Sequence, residues 1–168
     1  MPLFARGQDV PDAAVAMQVS GGQLSTKQIV GLDSSLMIAR RSPGYHSKPH
    51  VHESEQLNYV LSGEIYIFTE DQAFHLQEGD FLRIPPNVVH WAWNRSDRDC
   101  ELIESHAPPL EILPREQATV LLGESEDAAH IRWRPNIFVD DHYLEREAEL
   151  LAKLAETEPG GASAETGG

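Results

Sequence analysis

Short runs of β-favouring residues, separated by turn formers, fill the middle of the chain. Ser62-Gly63 and Glu78-Gly79 are two of the separating turns. The runs are rich in branched and aromatic side chains and read SSLMIARR, EQLNYVLS, EIYIFTE, AFHLQ, DFLRIP, VVHWAWN and CELIESH. Seven such runs at this spacing predict an all-β domain that is a sandwich or a barrel.

The C-terminal part has a helical period instead. Asp140 and Asp141 are capping candidates before this segment, so we predict one amphipathic helix over residues 141–156. Residues 157–168 are mostly Gly, Ala, Glu and Thr with almost nothing to bury, which predicts a disordered tail. The small and apolar residues at helical spacing are Leu144, Ala148, Leu151 and Ala155.

With 168 residues the chain suits a single domain. We predict an N-terminal arm over residues 1–30, with one β-like piece, TKQIVG, and the β domain over residues 31–140. Within that domain the segment REQATVLLG is compatible with helix or strand, whereas HIRWRPNIF is predicted to be extended.

Composition narrows the classes of partner. The formal net charge is −14, from 27 acidic and 13 basic residues, and would repel nucleic acid and anionic membranes. The single cysteine, Cys100, cannot form an internal disulfide and is expected to be a small buried residue. No secretory signal is readable and no run approaches the roughly 18 apolar residues of a membrane span, so we expect a soluble cytoplasmic protein.

The stretch HVHESEQ carries the main candidate chemistry. On a strand, His50 and His52 point to the same face, about 6.7 Å apart along the backbone, and can bind one metal ion together. A third ligand at Glu55 or Gln56 would lie roughly 10 to 13 Å further along a straight strand, so the chain must turn within residues 53–55. Strand alternation places Gln56 on a polar face and Glu55 on an apolar one, and leaves Glu53, Glu55 and Gln56 open as the third ligand.

Two spaced motifs in this region resemble those of the cupin family. Gly44, His50, His52, Gln56 and Gly63 match the first motif, G-x5-H-x-H-x3-E-x6-G with x3 or x4 before the Glu, except that Gln replaces Glu. The second motif, G-x5-P-x-G-x2-H-x3-N, is matched in order by Gly79, Pro85, Asn87, His90 and Asn94. In that motif Asn87 replaces a Gly, and Asn also tolerates a positive φ.

The resemblance covers residues 36–106 and implies a fold and a metal site. The implied fold is a double-stranded β-helix, the jelly-roll cupin barrel, followed here by the C-terminal helix. The implied ligand set is neutral, so it would leave the charge of a divalent ion uncompensated. Nitrogen donors with one oxygen suit Fe, Mn, Ni, Zn or Cu. The implied ligands are His50, His52, Gln56 and His90.

The resemblance implies an enzyme that acts on a small, oxygen-rich organic molecule. A dioxygenase is the first expectation. The missing carboxylate keeps open a non-oxidative isomerase, cyclase or lyase that uses the metal as a Lewis acid, and a protein that binds a metal or small molecule without turnover. A homodimer is expected by analogy with cupins.

Catalytic candidates are the polar residues near the predicted strands. Tyr45, His106 and Arg83 are our first choices, as proton-transfer groups and as a substrate anchor. Arg40 and Arg41 are alternatives to Arg83 as anchor, and His75, Glu104 and Glu55 are alternative bases. Trp91 and Trp93 are expected to pack on the face opposite His90. His46, His130 and His142 are expected in loops or on a helix surface.

Overall fold

Antiparallel strands dominate the fold. The computed structural model describes residues 4–112, 119–121 and 127–157. The strands are β1 (Ala13–Val15), β2 (Gln18–Ser20), β3 (Leu24–Val30), β4 (Ser35–Arg41), β5 (His46–Ser47), β6 (His50–Val51), β7 (Glu55–Ser62), β8 (Glu64–Thr69), β9 (Ala73–Gln77), β10 (Phe81–Ile84), β11 (His90–Trp93), β12 (Cys100–Ala107), β13 (Leu110–Glu111), β14 (Thr119–Leu121), β15 (Arg134–Pro135) and β16 (Ile137–Phe138).

Two seven-stranded sheets face each other. The first has the order β1-β3-β4-β12-β7-β10, with β14 parallel to β3. The second has the order β16-β6-β11-β5-β2, with β8 also beside β11 and β9 beside β8. A short parallel pair joins β13 to β15. This curled arrangement is a jelly roll, as the sequence resemblance implied.

The ambiguous segments acquire defined places. Within REQATVLLG the described residues Thr119–Leu121 form a strand, and HIRWRPNIF contains β15 and β16, which confirms its extended conformation. Of the predicted N-terminal arm, the seven residues of β3 pair in unbroken register with β4. That part of the arm is therefore an integral strand of the first sheet.

The predicted helix is present, with a different start. Asp141–Arg146 is a 3₁₀ helix whose N-cap, Asp140, accepts a hydrogen bond from the backbone N–H of His142. The α-helix α1 follows over Glu147–Thr157. A second 3₁₀ helix covers Asp127–His130. The predicted disordered tail lies, apart from Thr157, outside the described residues. None of the described helices has the length and apolar character needed to cross a membrane.

The helix α1 packs on the outside of the second sheet. Leu150 is buried there against Phe68 and Trp91, whose rings stack with centroids 5.3 Å apart. Trp93 stacks on His46 with centroids 4.7 Å apart. These contacts confirm that the two tryptophans pack on the face opposite His90.

The position of His46 contradicts the sequence expectation. It is a buried strand residue, and its Nε2 lies 2.6 Å from Glu147 Oε1. The local sequence around a turn suggested a surface histidine, but the helix that covers it begins 101 positions later. His142 is exposed and His130 is exposed, as expected.

Between the sheets, two apolar clusters leave a polar layer in the middle. One closes one end of the barrel and contains Val60, Ile65, Ile67, Leu76, Ile84, Ala92, Cys100 and Leu102. The other contains Val15, Met17, Leu24, Met37, Ala39 and Tyr45. Cys100 is fully buried, as predicted, and burial raises the pKa of its thiol to about 11. The candidate ligands lie in the layer between the clusters.

Candidate metal centre

Three histidines converge from two neighbouring strands of the second sheet. His50 on β6 and His90 on β11 are directly opposed, with ring centroids 4.2 Å apart. His52 follows β6, and its ring centroid is 4.9 Å from that of His90. All three are buried, and one nitrogen from each lies within 4.8 Å of the other two. The strand pairing brings together the two sequence motifs, which are far apart along the chain.

Backbone carbonyls fix each ring in the same orientation. Each imidazole Nδ1 faces a carbonyl oxygen, so Nδ1 carries the proton and Nε2 keeps its lone pair. The His90 Nε2 is buried and has no hydrogen-bond partner among the described residues. The acceptors are Lys48 for His50 at 2.8 Å, Ser54 for His52 at 2.8 Å and Val88 for His90 at 2.9 Å.

Burial keeps these imidazoles neutral. Desolvation lowers the pKa of His50 to about 4, with a smaller contribution from His52. Desolvation also lowers the pKa of His52, and it lowers the pKa of His90 well below the usual range. Metal ligands must be deprotonated, so a buried set of neutral imidazoles suits a metal ion.

Gln56, rather than either nearby glutamate, faces the histidines. It is buried at the start of β7, and its Oε1 lies 3.2 Å from the His52 Nε2. Its amide N–H groups donate to Asn58 at 2.8 Å and to Glu104 at 3.5 Å, which directs the carbonyl oxygen toward the histidines. An amide oxygen beside three imidazoles is a chemically suitable donor set for a divalent transition metal.

The two alternative third ligands point away from this cluster. Glu55 forms an exposed ion pair with Arg83 at 2.5 Å, and Glu53 is paired with Arg134 at 2.7 Å. Neither carboxylate lines the cavity beside the histidines. The turn that the sequence required within residues 53–55 brings Gln56 to the inside and leaves both carboxylates outside.

Arg83, which the sequence suggested as a substrate anchor, therefore does not lie at the candidate site. Its side chain is 58% exposed on β10, which is the edge strand of the first sheet. The sequence ranked it beside Arg40 and Arg41, but strand alternation turns only Arg41 inward. Arg41 is buried, whereas Arg40 forms a surface ion pair with Glu101 at 2.6 Å.

The other two first choices lie at the site. His106 ends β12 opposite Gln56, is buried, and has its ring centroid 5.6 Å from that of His52. Desolvation lowers the pKa of His106 well below the usual range. Tyr45 is buried in the wall of the same cavity, and desolvation raises its pKa to about 12. His75 instead pairs with Glu64 at 3.3 Å, away from the cavity.

A buried ion pair completes the polar layer. The Nη2 of Arg41 donates to Glu104 Oε1 at 2.5 Å, and both side chains line the cavity. Sequence reasoning included both residues as candidates but did not pair them. Alternation along β4 and β12 could have placed both side chains inside the barrel. Their pairing can be predicted only when the register of these two strands is known.

The cavity is narrow. Its volume is about 30 Å³, so a ligand larger than an ion with one or two water molecules requires the lining side chains to move apart. Polar residues of the two sheets line its middle, and apolar side chains line its ends. The apolar lining residues include Met17, Leu24, Met37, Ile84, Leu110 and Ile112.

Two motif positions are explained by backbone geometry. Asn87, which replaces a motif glycine, has a φ of +64°, so the substitution keeps the left-handed turn that the sequence predicted it would tolerate. Gly63 has a φ of +79°, and a Cβ there would lie 2.5 Å from the carbonyl oxygen of Asp99. The turn at Asn87 precedes β11, which carries His90, and the turn at Gly63 joins β7, which carries Gln56, to β8.

Comparison with known sequences identifies the central domain. The family model described as a cupin domain (Cupin_2) matches residues 37–106. The 1-hydroxy-2-naphthoate 1,2-dioxygenase of Nocardioides sp. (strain KP7) is 30% identical over 92 residues, which are 54% of this chain. The match spans only 22% of that relative's own length.

Solved structures share the fold. The polyketide cyclase RemF from Streptomyces resistomycificus has a TM-score of 0.56 at 19% identity, over 64% of this chain and 80% of its own. KdgF from Halomonas sp. has a TM-score of 0.53 at 22% identity, over 64% of this chain and 94% of its own. An RmlC-like cupin from Shewanella frigidimarina has a TM-score of 0.52 at 22% identity, over 64% of this chain and 92% of its own.

Proposed function

Since the chain belongs to the cupin superfamily, we propose that it is a metal-dependent enzyme that acts on a small, oxygen-rich organic molecule, with dioxygenase chemistry as the first candidate. The observation that carries this proposal is the orientation of the three histidines. Each has its Nδ1 held by a backbone carbonyl, and one nitrogen from each buried ring lies within 4.8 Å of the other two. A structural role alone would not require three neutral imidazoles in contact.

We assign the metal ligands to four residues. They are His50, His52, Gln56 and His90, holding one divalent transition metal ion of the group Fe, Mn, Ni, Zn and Cu. When bound, the ion would supply Lewis acidity and, if redox-active, would activate dioxygen. The curated relative that matches over 92 residues is named as a dioxygenase, and this name supports the oxidative candidate.

The protein groups around the ligands supply hydrogen bonds and proton transfer. The raised pKa of Tyr45 keeps its hydroxyl protonated, so Tyr45 donates to a substrate oxygen and does not act as a base. His106 is neutral and buried beside His52, so it can accept a hydrogen bond from a bound substrate, while its lowered pKa makes it a weak base. The apolar ends of the cavity exclude water from the reacting atoms.

A second candidate is supported by the neutral ligand set. Gln56 cannot accept a proton at neutral pH, so the ligands offer no carboxylate base, while Glu104 lies 3.5 Å from the Gln56 amide. A Lewis acid beside Glu104 and His106 suits proton transfer in an isomerisation, cyclisation or elimination. A structural neighbour, RemF, is named as a polyketide cyclase, although that likeness concerns the fold.

Dioxygen consumption separates the two candidates. The metal-free protein is loaded in turn with Fe(II), Mn(II), Ni(II), Zn(II) or Cu(II) and supplied with small hydroxy and oxo acids, enols and phenols. Dioxygen uptake that matches substrate loss, with Fe or Mn but not Zn, would support the dioxygenase. Full turnover without dioxygen uptake would support the Lewis-acid enzyme. Ligand binding without product from any loaded form would leave a binding protein.

We also propose a homodimer through the outer surface of the first sheet, called here the outer apolar face. Its exposed side chains lie on three strands, β4, β7 and β10. Exposed ion pairs at its edges, Arg40 with Glu101 and Arg83 with Glu55, leave it locally neutral in an acidic chain. A second copy can therefore bind there without charge repulsion. The apolar side chains are Leu36, Ile38, Leu57, Leu61 and Phe81.

A further inference from the structure

The cavity beside the histidines contains buried hydrogen-bond donors that lack acceptors. Arg41 donates through Nη2 to Glu104, but its Nε and Nη1 have no partner within residues 4–112, 119–121 and 127–157. The hydroxyl of Tyr45 also has no acceptor in the same ranges, although the side chains of Arg41 and Ser47 lie close enough to its oxygen to lower its pKa against the larger increase from burial. Both residues line the same cavity as His50 and His90. Buried polar groups in native proteins are normally satisfied, so these donors indicate a missing acceptor.

The donors are held in place by the barrel. Arg41 ends β4 in register with Leu24 and Cys100, so the alternation of the strand turns its side chain inward. The side-chain amide of Asn94 donates to the Arg41 carbonyl at 2.9 Å. The Arg41 guanidinium lies over the Tyr45 ring, 5.8 Å from its centroid. A preorganised pair of this kind binds a ligand with little loss of side-chain entropy.

Charge favours an anion at these donors. Glu104 balances Arg41, and the four assigned ligands are neutral, so a bound divalent ion would leave the buried layer with an uncompensated positive charge. Uncompensated charge in a buried cavity is unfavourable, and an anionic ligand removes it. A carboxylate also matches the planar fork of a guanidinium, whose N–H groups donate in parallel.

We propose that Arg41 and Tyr45 form an oxyanion site that binds the carboxylate of the substrate. The substrate class is then a small organic acid with a second oxygen, hydroxy or oxo, directed toward the histidines. Arg41 provides the N–H groups of Nε and Nη1, which lack partners, and Tyr45 adds a hydroxyl donor. This inference rests on the proposed metal-dependent function, because it takes its charge balance from the bound ion.

Calorimetric titration of the zinc-loaded protein tests the proposal without catalysis. The probes are two acids and their neutral amides, pyruvate with pyruvamide and salicylate with salicylamide. At least one acid is expected to bind roughly tenfold more tightly than its amide, since only the acid neutralises the buried charge. Equal binding of acid and amide in both pairs, including no binding of any probe, overturns the proposal.

Variants locate the preference on the named residues. Arg41→Gln combined with Glu104→Gln removes both charges together, and is expected to reduce the preference for the acid to less than about threefold. Tyr45→Phe is expected to weaken binding of the acid by roughly three- to tenfold. Arg40→Gln is the matched control, because this neighbouring arginine is exposed on the outer side, and it should leave acid binding unchanged.

The zinc content of every variant is measured before titration. If the double variant does not retain zinc, Arg41→Lys replaces it, since lysine keeps the charge and loses the N–H groups of Nε and Nη1. If the zinc-loaded Arg41 variant keeps the full preference for the acid, the assignment to Arg41 is overturned. If Tyr45→Phe binds the acid as tightly as the wild type does, the assignment to Tyr45 is overturned. Binding of the acid that depends on Arg41, without turnover by any metal form, contradicts the proposed enzyme and leaves the oxyanion site supported. Turnover of neutral substrates that is unchanged in the Arg41 variant would support the proposed enzyme and contradict the oxyanion site.

Discussion

The indole N–H of Trp91 donates to the Glu147 carboxylate at 2.6 Å, although the two residues are 56 positions apart. The same Glu147 oxygen lies 2.6 Å from the Nε2 of His46. Trp91 directly follows His90, so the first turn of α1 is attached to the strand that carries a candidate metal ligand. The helix therefore supports the site from outside the barrel.

Glu147→Ala should destabilise the protein because it leaves two buried donors without an acceptor. We expect the free energy of unfolding to fall by about 2 to 6 kcal/mol, from about 1 to 3 kcal/mol for each of the two unsatisfied groups. Chemical denaturation monitored by tryptophan fluorescence measures the change. Glu149→Ala is the control, since this residue of the same helix forms surface ion pairs with Lys153 and Arg146. Equal unfolding midpoints for the two variants would show that the Trp91 contact contributes nothing.

The sequence predicted the cluster of three histidines much better than its surroundings. His50, His52 and His90 were identifiable because motif spacing encodes turns and strand register locally. His46 was assigned wrongly because its burial depends on Glu147, far along the chain. No local pattern contains that information.

Strand alternation predicted which residues share a face but not which face is inside. On β7 the apolar side chains of Leu57 and Leu61 point outward, and the polar Gln56 and Asn58 are buried. Hydrophobicity alone would assign the opposite sides. The same limit affected the arginines, because the choice of Arg41 over Arg83 requires the position of each strand within the sheet.

Removal of one histidine should abolish stable metal binding. His90→Ala deletes an imidazole from the centre of the cluster, and we expect the affinity for zinc to fall by at least about 100-fold. Glu55→Ala is the control and should retain wild-type affinity, because Glu55 pairs with Arg83 outside the cavity. Competition with a chromogenic chelator measures both constants. Equal losses in the two variants would reassign the third ligand to Glu55.

The metal-free protein should lose stability below pH 6.5. The pKa of His50 is lowered to about 4, so between these values the unfolded chain binds a proton that the folded chain does not. The free energy of unfolding therefore falls as the pH decreases, on the order of 2 kcal/mol by pH 5 from His50 alone. His52 and His90 act in the same direction.

Urea denaturation of chelator-treated protein at pH 7.5, 6 and 5 measures this loss. His50→Asn should show a smaller dependence on pH, and His142→Asn, at an exposed position, should behave as the wild type does. A stability that is constant from pH 7.5 to pH 5 would contradict buried neutral imidazoles.

The outer apolar face should control the oligomeric state. Leu57→Glu combined with Phe81→Glu places charge on this face, where the two residues are 50% and 77% exposed. We expect the proposed dimer to dissociate, because burial of a carboxylate at a symmetric interface also brings its copy close. Analytical ultracentrifugation measures the mass. Ile137→Glu, on an exposed strand of the second sheet, should leave the mass unchanged, and a wild-type monomer would rule out the proposal.

Gln56→Glu restores the carboxylate of the family motif, and the stability of this variant should depend on whether a metal ion is bound. The new carboxylate would lie beside Glu104, whose oxygen is 3.5 Å from the Gln56 amide nitrogen. Two carboxylates at this distance repel each other in the metal-free protein, so we expect a loss of about 1 to 3 kcal/mol at pH 7.5. Saturating zinc should recover most of that loss, because an anionic ligand faces the ion. Urea denaturation with and without zinc measures both effects. A loss that saturating zinc does not reduce would place its cause elsewhere than the repulsion between the two carboxylates.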